Sequence, residues 1–456
     1  MKRFRGGRLL VAAAVAAVCL APRCVRAQDT TFRGVTITAN YDPLRDKLGI
    51  VVLPVAGAFG DSVRAIIQRD LDFSDRFTIV PVDASDQSVF RAPAAGSTGT
   101  GAPGSPAGSA PGLNYPLFAH LSVTAVVQIT PVPTGLHVVL HDVGTSRVVN
   151  VHEFPLPPTG LSRDWRMAVH QISDEISRWA TGQRGIAATR IAYLRGASIR
   201  IADSDGADEI TVPTDENGIS PAWSPDGSML VYGTYGAVGS RLVLIDLSTG
   251  RSRTLLAAPR NSQYITPVFT PDGKSIVYSR SGENGSDLFI VGVDGGTPRR
   301  LTAGQGTENT NPTPSPDGRS FAFVSGRLGR PELYIVDADG TGVRVLTDYD
   351  FNENNYRSDP DWSPDGRLVA YQELLGGRYQ IETIRAGGGT PKPLTSEGVN
   401  EQPSWAPDAR HLVFTSTRTG VRQLWIMDTE SGRTRQLTTS AGSRLASWSP
   451  RLSTPR

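Results

Sequence analysis

Beyond residue 228 the chain alternates apolar and polar residues in short runs. The segments 229–234, 275–280, 320–325, 368–373 and 411–416 each read as a period-two strand after a tight turn. A second run follows in each unit, at 241–246, 287–291, 332–337, 379–384 and 423–428, and then a Gly-bearing turn and a short third run often ending in Leu-Thr. With the segment before each tight turn as the innermost strand, every unit has four strands.

The turns share a phrase. Pro-Ala-Trp-Ser-Pro-Asp-Gly at 221–227 recurs in related form at 267–273, 312–318 and 360–366, with worn copies at 403–409 and 446–452. The later Pro of each copy falls at 225, 271, 316, 364, 407 and 450. A period near 45 residues built from short strands predicts β-propeller blades. The ends give the count. Residues 190–195, 198–202 and 208–214 read as three strands with no opening phrase, and the last phrase has nothing after it. Joined, they make one blade, so the expectation is an all-β six-bladed propeller over 190–456, closed by pairing of its N- and C-terminal strands.

The recurring aromatics Trp223, Phe269, Trp362, Trp405 and Trp448 read as packing between blades. The third copy has Pro314 there, which predicts a looser seam. Asp226, Asp272, Asp317, Asp365 and Asp408 read as turn formers, not as a carboxylate cluster.

The N-terminal half has a different pattern. Residues 28–47 are polar without clear periodicity and read as a flexible arm. Strands are expected at 48–55, 77–82, 121–129, 136–143 and 147–154. One helix is expected from a capping Asp61 to Leu71. A second carries Trp165, Val169, Ile172, Ile176 and Trp179 on one stripe between a capping Ser162 and a terminating Gly182. Residues 92–112 are almost all Ala, Gly, Pro, Ser and Thr, so a mobile loop is expected there. The expectation for 48–189 is an α/β domain, a small mixed sheet with two helices.

Composition alters the picture mainly at the start. Lys2, Arg3, Arg5 and Arg8 precede an uncharged run over 9–21, and Ala27 supplies a small residue before a cut, so 1–27 reads as a cleavable export signal. Arg23 before Cys24 and Val18 before Cys19 lack the small residue that lipidation needs. Both cysteines fall in this segment, which predicts a mature chain without disulfides or thiol chemistry. The segment holds six of the 46 basic residues and none of the 44 acidic ones, so the formal charge of +2 becomes acidic on its removal. A secreted or periplasmic product is expected.

Candidate chemistry is sparse. There is no Gly-x-Ser-x-Gly, His-Glu-x-x-His or P-loop. His137 and His141 share a strand, where that spacing separates them by about 13 Å, too far for one zinc. His170 and Asp174 read as a structural pair at the domain junction. Asp203-Ser204-Asp205-Gly206 and Asp337-Ala338-Asp339-Gly340 resemble parts of calcium loops but lack the distal Glu. No cofactor or metal is expected. What remains is the polar mouth of the channel: Gln263, Tyr264, Asn309, Thr310, Asn311, Arg357, Ser358, Asn400, Glu401, Gln402 and Arg444. Converging from several blades, they suit recognition of a protein or peptide. Two other classes stay open, a secreted propeller enzyme acting on a glycan or peptide and a generic propeller scaffold.

The chain also resembles the TolB family of the Tol-Pal system of Gram-negative envelopes. The likeness rests on residues 50–54, on Ile-Ile-Gln-Arg-Asp-Leu-Asp-Phe-Ser-Asp-Arg-Phe at 66–77, on 170–178, 182–185 and 189–193, and on the terminal Trp-Ser-Pro-Arg-Leu. That resemblance implies a non-catalytic periplasmic adaptor in outer-membrane constriction at division. It implies that the channel mouth receives the peptidoglycan-associated lipoprotein Pal. The arm, carrying Asp29, Thr31, Phe32, Val35, Ile37 and Tyr41, would engage the inner-membrane protein TolA. The arm here is longer than the family's, with 42–47 added.

Overall fold

The computed structural model describes residues 28–32, 35–39, 47–84, 87–91, 112–214, 216–236, 239–303, 308–347 and 355–453. The export segment 1–27, Tyr41 and nearly all of the loop 92–112 lie outside these residues.

The arm begins with two strands, β1 (Gln28–Phe32) and β2 (Val35–Ala39), paired antiparallel, with β2 continuing onto β5 (Asp83–Ala84). The sequence reading of 28–47 as a polar arm without clear periodicity does not include these strands. Val35-Thr36-Ile37-Thr38 is a β-branched run with period two, a strand signal masked by the polarity around it.

The α/β domain is a five-stranded sheet in the order β4 (Phe77–Ile79), β3 (Leu48–Val52), β6 (Ala125–Val132), β7 (Gly135–Asp142), β8 (Arg147–Pro155). β3 runs parallel to both neighbours and the remaining pairs are antiparallel, so the sheet is mixed as expected. Helices α1 (Gly60–Phe73) and α3 (Arg163–Thr181) cover one face, burying Val63, Ile67 and Leu71 with Trp165, Val169 and Ile172 against Ile50, Val52 and Val127. Ser162 caps α3 by accepting from the Trp165 N–H, and Gly182 ends it in the left-handed conformation at φ 77°. Asp61 is not the cap of α1: the helix starts one residue earlier behind Phe59, which makes no side-chain cap bond, and Asp61 lies in the first turn. There its negative charge faces the positive end of the helix. The other face is closed by Phe90 and by a short helix, α2 (Tyr115–His120), through Leu117 and Phe118. Six residues give no helical period to read, so α2 was invisible to pattern.

The propeller follows. Among the described residues it comprises six four-stranded sheets, with inner strands Asn217–Trp223, Gln263–Phe269, Asn309–Pro314, Arg357–Trp362, Asn400–Trp405 and Ser443–Trp448. The last pairs with Arg190–Arg195, from Ser443 opposite Arg195 to Trp448 opposite Ile191. The ring is therefore closed by its two ends. The Trp448 indole N–H reinforces the closure by donating to Thr189 Oγ1 at 2.8 Å.

Each repeated phrase has a mechanical role. The Asp before Gly accepts from a hydroxyl two residues earlier and from the backbone N–H two residues later, as in Asp317 with Ser315 Oγ and Arg319 N. The same holds for Asp226, Asp272 and Asp365, while Asp408 accepts from the N–H groups of Arg410 and His411. These are turn formers. The recurring aromatics sit at the seams. Trp223 and Trp405 donate their indole N–H to the backbone of the preceding blade, at Ser447 O and Asp361 O. Trp362, whose preceding blade carries Pro314, turns to Gly366 O of its own turn and is only half-buried.

The α/β domain docks on the ring face formed by these turns. Arg433 reaches from the propeller to Asp72 at 2.7 Å and Asp75 at 3.0 Å, Arg166 reaches Asp205 at 2.9 Å, and the Arg435 guanidinium lies over the Phe73 ring, 4.1 Å from its centroid. Inner strands begin at the opposite end, so the channel mouth faces away from the α/β domain.

Candidate functional site: the channel mouth

Every inner strand breaks register at one place, between 219 and 222, 265 and 268, 310 and 313, 358 and 361, 401 and 404, and 444 and 447. The residues there, Ser220, Thr266, Asn311, Asp359, Gln402 and Leu445, have φ between 48° and 58°. A left-handed conformation costs a non-glycine residue about 1–2 kcal/mol, and such strain gathers where the backbone is being aimed at something. Here the six bulges ring the axis and line a cavity of about 160 Å³. The next residue is Pro in the first five blades, and lacking an N–H it leaves no donor unpaired at the irregularity.

Around this ring the expected mouth residues divide by position. Tyr264, Asn309, Arg357 and Asn400 occupy one equivalent site, five residues before the seam aromatic or its Pro314 counterpart, and all are buried. Three of them latch consecutive blades. Asn309 Nδ2 donates to Asp287 Oδ1, Arg357 Nη1 to Glu332 Oε2 and Asn400 Nδ2 to Gln380 Oε1, each partner heading or lying in the third strand of the preceding blade. The same acceptors take the hydroxyls of Thr302, Thr347 and Thr395, which explains the recurring Leu-Thr. Arg357 also pairs with Glu373 at 3.0 Å, and these two carboxylates, working against burial, hold the guanidinium above its usual range. Tyr264 stacks edge-on against Tyr278 with centroids 4.9 Å apart.

The next residues are open to solvent. Thr310, Ser358 and Glu401 are half-buried, Arg444 and Gln263 are exposed, and Asn311 and Gln402 stand among the bulges inside the mouth. Glu401 is met by Arg422 at 3.2 Å. Gln402 is fixed by the N–H of Leu445 and the hydroxyl of Thr415, both donating to its Oε1. The accessible set is therefore smaller than the sequence list and polar throughout.

Sequence reasoning missed two channel carboxylates. Asp359 accepts from Asn311 Nδ2, and Asp361 accepts from the Trp405 N–H at 2.6 Å and Thr313 Oγ1 at 3.3 Å. Burial pushes both up to about 6, Asp359 further under the charge of Glu401 and Asp361 against the pull of its donors. For Asp359 the signal was positional, because the residue before each opening Pro is the one at the bulge, whereas Asp361 follows its Pro and carried no such signal. No histidine lines this cavity. His411, the ring's only one, lies on the opposite face.

Two clusters at the domain junction have metal-ligand composition, Asp70 with His170 and Asp205, and Asp75 with His411 and Asp428. Their carboxylates are already matched by cations. Asp205 meets Arg69 and Arg166, Asp75 meets Lys47 and Arg433, and Asp428 meets Arg410. The donors fit an ion network better than a divalent cation. His170 pairs with Asp70 at 2.8 Å and not with the expected Asp174, which instead accepts from the N–H groups of Ala187 and Ala188. Residues four apart on α3 are level, but Asp174 turns to the connecting segment while His170 turns to α1. Asp203 and Asp205 form a hairpin turn facing Arg190, Arg166 and His170, so the calcium-loop likeness is coincidental.

Comparison with known proteins settles the family. Residues 178–452 match the family model described as TolB beta propeller domain. This chain belongs to the TolB β-propeller family. A Tol-Pal system protein TolB from Actinobacillus pleuropneumoniae serotype 5b is 31% identical over 252 residues, covering 51% of this chain and 54% of that one. One from Escherichia fergusonii is 30% identical over 232 residues, covering 47% and 49%. The chain thus spans about half the length of these curated relatives. The crystal structure of TolB from Acinetobacter baumannii superposes with a TM-score of 0.72 at 24% identity, covering 91% of this chain and 99% of that one, and shares the fold. Among the described residues no helix is long and apolar enough to cross a membrane.

Proposed function

We propose that this chain is a periplasmic, non-catalytic adaptor of the Tol-Pal system. It is exported by cleavage of 1–27, and its propeller over 190–456 binds Pal at the channel mouth. The arm over 28–47 takes TolA. Together these contacts serve outer-membrane integrity and constriction during division. The observation that carries this reading is the strained ring of bulges, polar in all but Leu445 and open on the face away from the α/β domain, in a chain whose family members are named as Tol-Pal proteins. Gln263, Thr310, Asn311, Ser358, Glu401, Gln402 and Arg444 would touch Pal, while Tyr264, Asn309, Arg357 and Asn400 would support them from within. The α/β domain of 48–189 would carry the arm.

The two sites form a linkage if occupancy of the mouth favours one state of the arm. Calorimetry of the full mature chain with soluble Pal tests the reading. Glu401→Lys with Arg444→Glu is expected to weaken binding by about a hundredfold, two hot-spot losses of about 1.4 kcal/mol each. Deletion of 28–40 is expected to abolish TolA capture and to change Pal affinity. Unchanged Pal affinity in the deletion would remove the linkage, and unchanged affinity in the double variant would remove the mouth.

A further inference from the structure

On the ring face away from the mouth, where the arm enters the α/β domain, a cavity of about 890 Å³ lies between the two domains. Its charged lining is Lys47, Asp75, Arg76, Arg410, Glu430 and Arg433, four cations against two acids. Both acids are taken. Asp75 meets Lys47 and Arg433 at 3.0 Å each and faces His411 at 3.5 Å, and Glu430 meets Arg410 at 2.8 Å. Lys47, Arg410 and Arg433 are thereby paired. Arg76 is the exception among the described residues, half-buried in the wall with no ion pair and no side-chain hydrogen bond. Asp408 and Asp428 are close enough to attract it, but they are bonded to His411 and Arg410. Burial and then the neighbouring charge of Arg410 press the Arg76 guanidinium below its usual range, against the attraction of Asp408, Glu430 and Asp428 across the cleft, none of which reaches it as an ion pair.

The geometry points to a small-molecule oxyanion site here, with Arg76 as its fork and an anion of two or more carboxylate or phosphate groups as its ligand. A guanidinium presents paired N–H donors in the plane that a carboxylate or phosphate accepts. The volume falls within the range of small-molecule pockets and exceeds what a single phosphate fills, which favours a ligand with several anionic groups. The paired cations around the rim supply a favourable field without having to break their own contacts. The site stands apart from the mouth and does not depend on Pal binding there.

The test is calorimetry on the full mature chain with citrate and, separately, pyrophosphate, at ionic strength matched with sodium chloride. At least one is expected to bind, and Arg76→Gln to weaken it by about tenfold, the loss of one charge-assisted hydrogen bond. Arg319→Gln, a change to an exposed turn cation, is expected to leave binding as it was. Binding of citrate alone assigns carboxylates, of pyrophosphate alone phosphates. A measurement on the wild type guards against a variant that fails to fold: the ligand is expected to shield Arg76 from phenylglyoxal, read by mass spectrometry. Absence of binding by both anions, equal binding by Arg76→Gln, equal losses in Arg319→Gln, or modification of Arg76 unaffected by ligand would each overturn the site.

Discussion

At the scale of single residues, two buried imidazoles join the domains. His170 on α3 lies between Asp70 at 2.8 Å and the propeller's Asp203 and Asp205 at 3.8 Å. His411 of the propeller lies between Asp408 at 2.8 Å and Asp75 of the α/β domain at 3.5 Å. Burial alone would lower both, yet the surrounding carboxylates outweigh it and hold each above the ordinary histidine value. A histidine raised on folding contributes stability that is complete below its unfolded value near 6.5 and is lost as pH rises through its folded value. The urea midpoint is therefore expected to fall on moving from pH 6 to pH 9, and to fall less in a His170→Asn, His411→Gln double variant. At pH 6, His170→Ala is expected to cost about 3–5 kcal/mol, because it leaves buried charge unmatched. A midpoint independent of pH in the wild type would refute the charged state. None of this was legible in the sequence beyond the placing of His170 at the junction. Its true partner lies 100 residues away, and no local spacing encodes that contact.

At the scale of elements, the propeller was legible because its grammar is local. A Pro-Asp-Gly turn selects its own hydrogen bonds, a period of two selects a strand, and repetition every 45 residues makes the signal redundant. The bulges were not legible, since a register break shows only once the neighbouring strand is in place. They are also what separates latch from mouth on each inner strand, and adjacent residues therefore differ sharply in consequence. Arg357→Ala is expected to cost about 3–5 kcal/mol by stranding the buried Glu373 and leaving Glu332 with Arg330 as its one cation, whereas Ser358→Ala next to it is expected to stay within about 0.5 kcal/mol. Chemical denaturation of the two variants checks this, and equal effects would refute the division. The seams give a second contrast. Trp405→Ala, which empties a buried site and removes a bond across the seam, is expected to cost about 3–5 kcal/mol. Trp362→Ala, at the seam that faces Pro314, is expected to cost about half as much or less, because its indole is half-buried and bonded within its own turn.

At the scale of the whole molecule, ring closure and domain docking share one stretch of chain. Ser443–Trp448 completes the last sheet, and the residues just after it turn to the α/β domain. Leu452 O accepts from Gln171 Nε2 at 3.1 Å, and Arg451 donates to the carbonyls of Gly185 at 2.9 Å and Pro407 at 3.0 Å, tying the interdomain connection to the fifth blade. Opening the ring should therefore loosen the domains as well, while loosening the domains need not open the ring. A chain ending at residue 442 loses a full inner strand, the burial of Trp448 and every one of these ties. It is expected to lose the single cooperative heat transition, with the α/β domain melting separately at lower temperature. Arg451→Ala keeps the strand and removes only the ties, a cost of about 1.5–3 kcal/mol if its charged donors are worth what such bonds usually are, and the propeller transition is expected to remain. Calorimetric scans of both variants decide the order of dependence. If the truncated chain melts as one unit near the wild-type temperature, the terminal strand is dispensable and the closed toroid is not what gives this protein its stability.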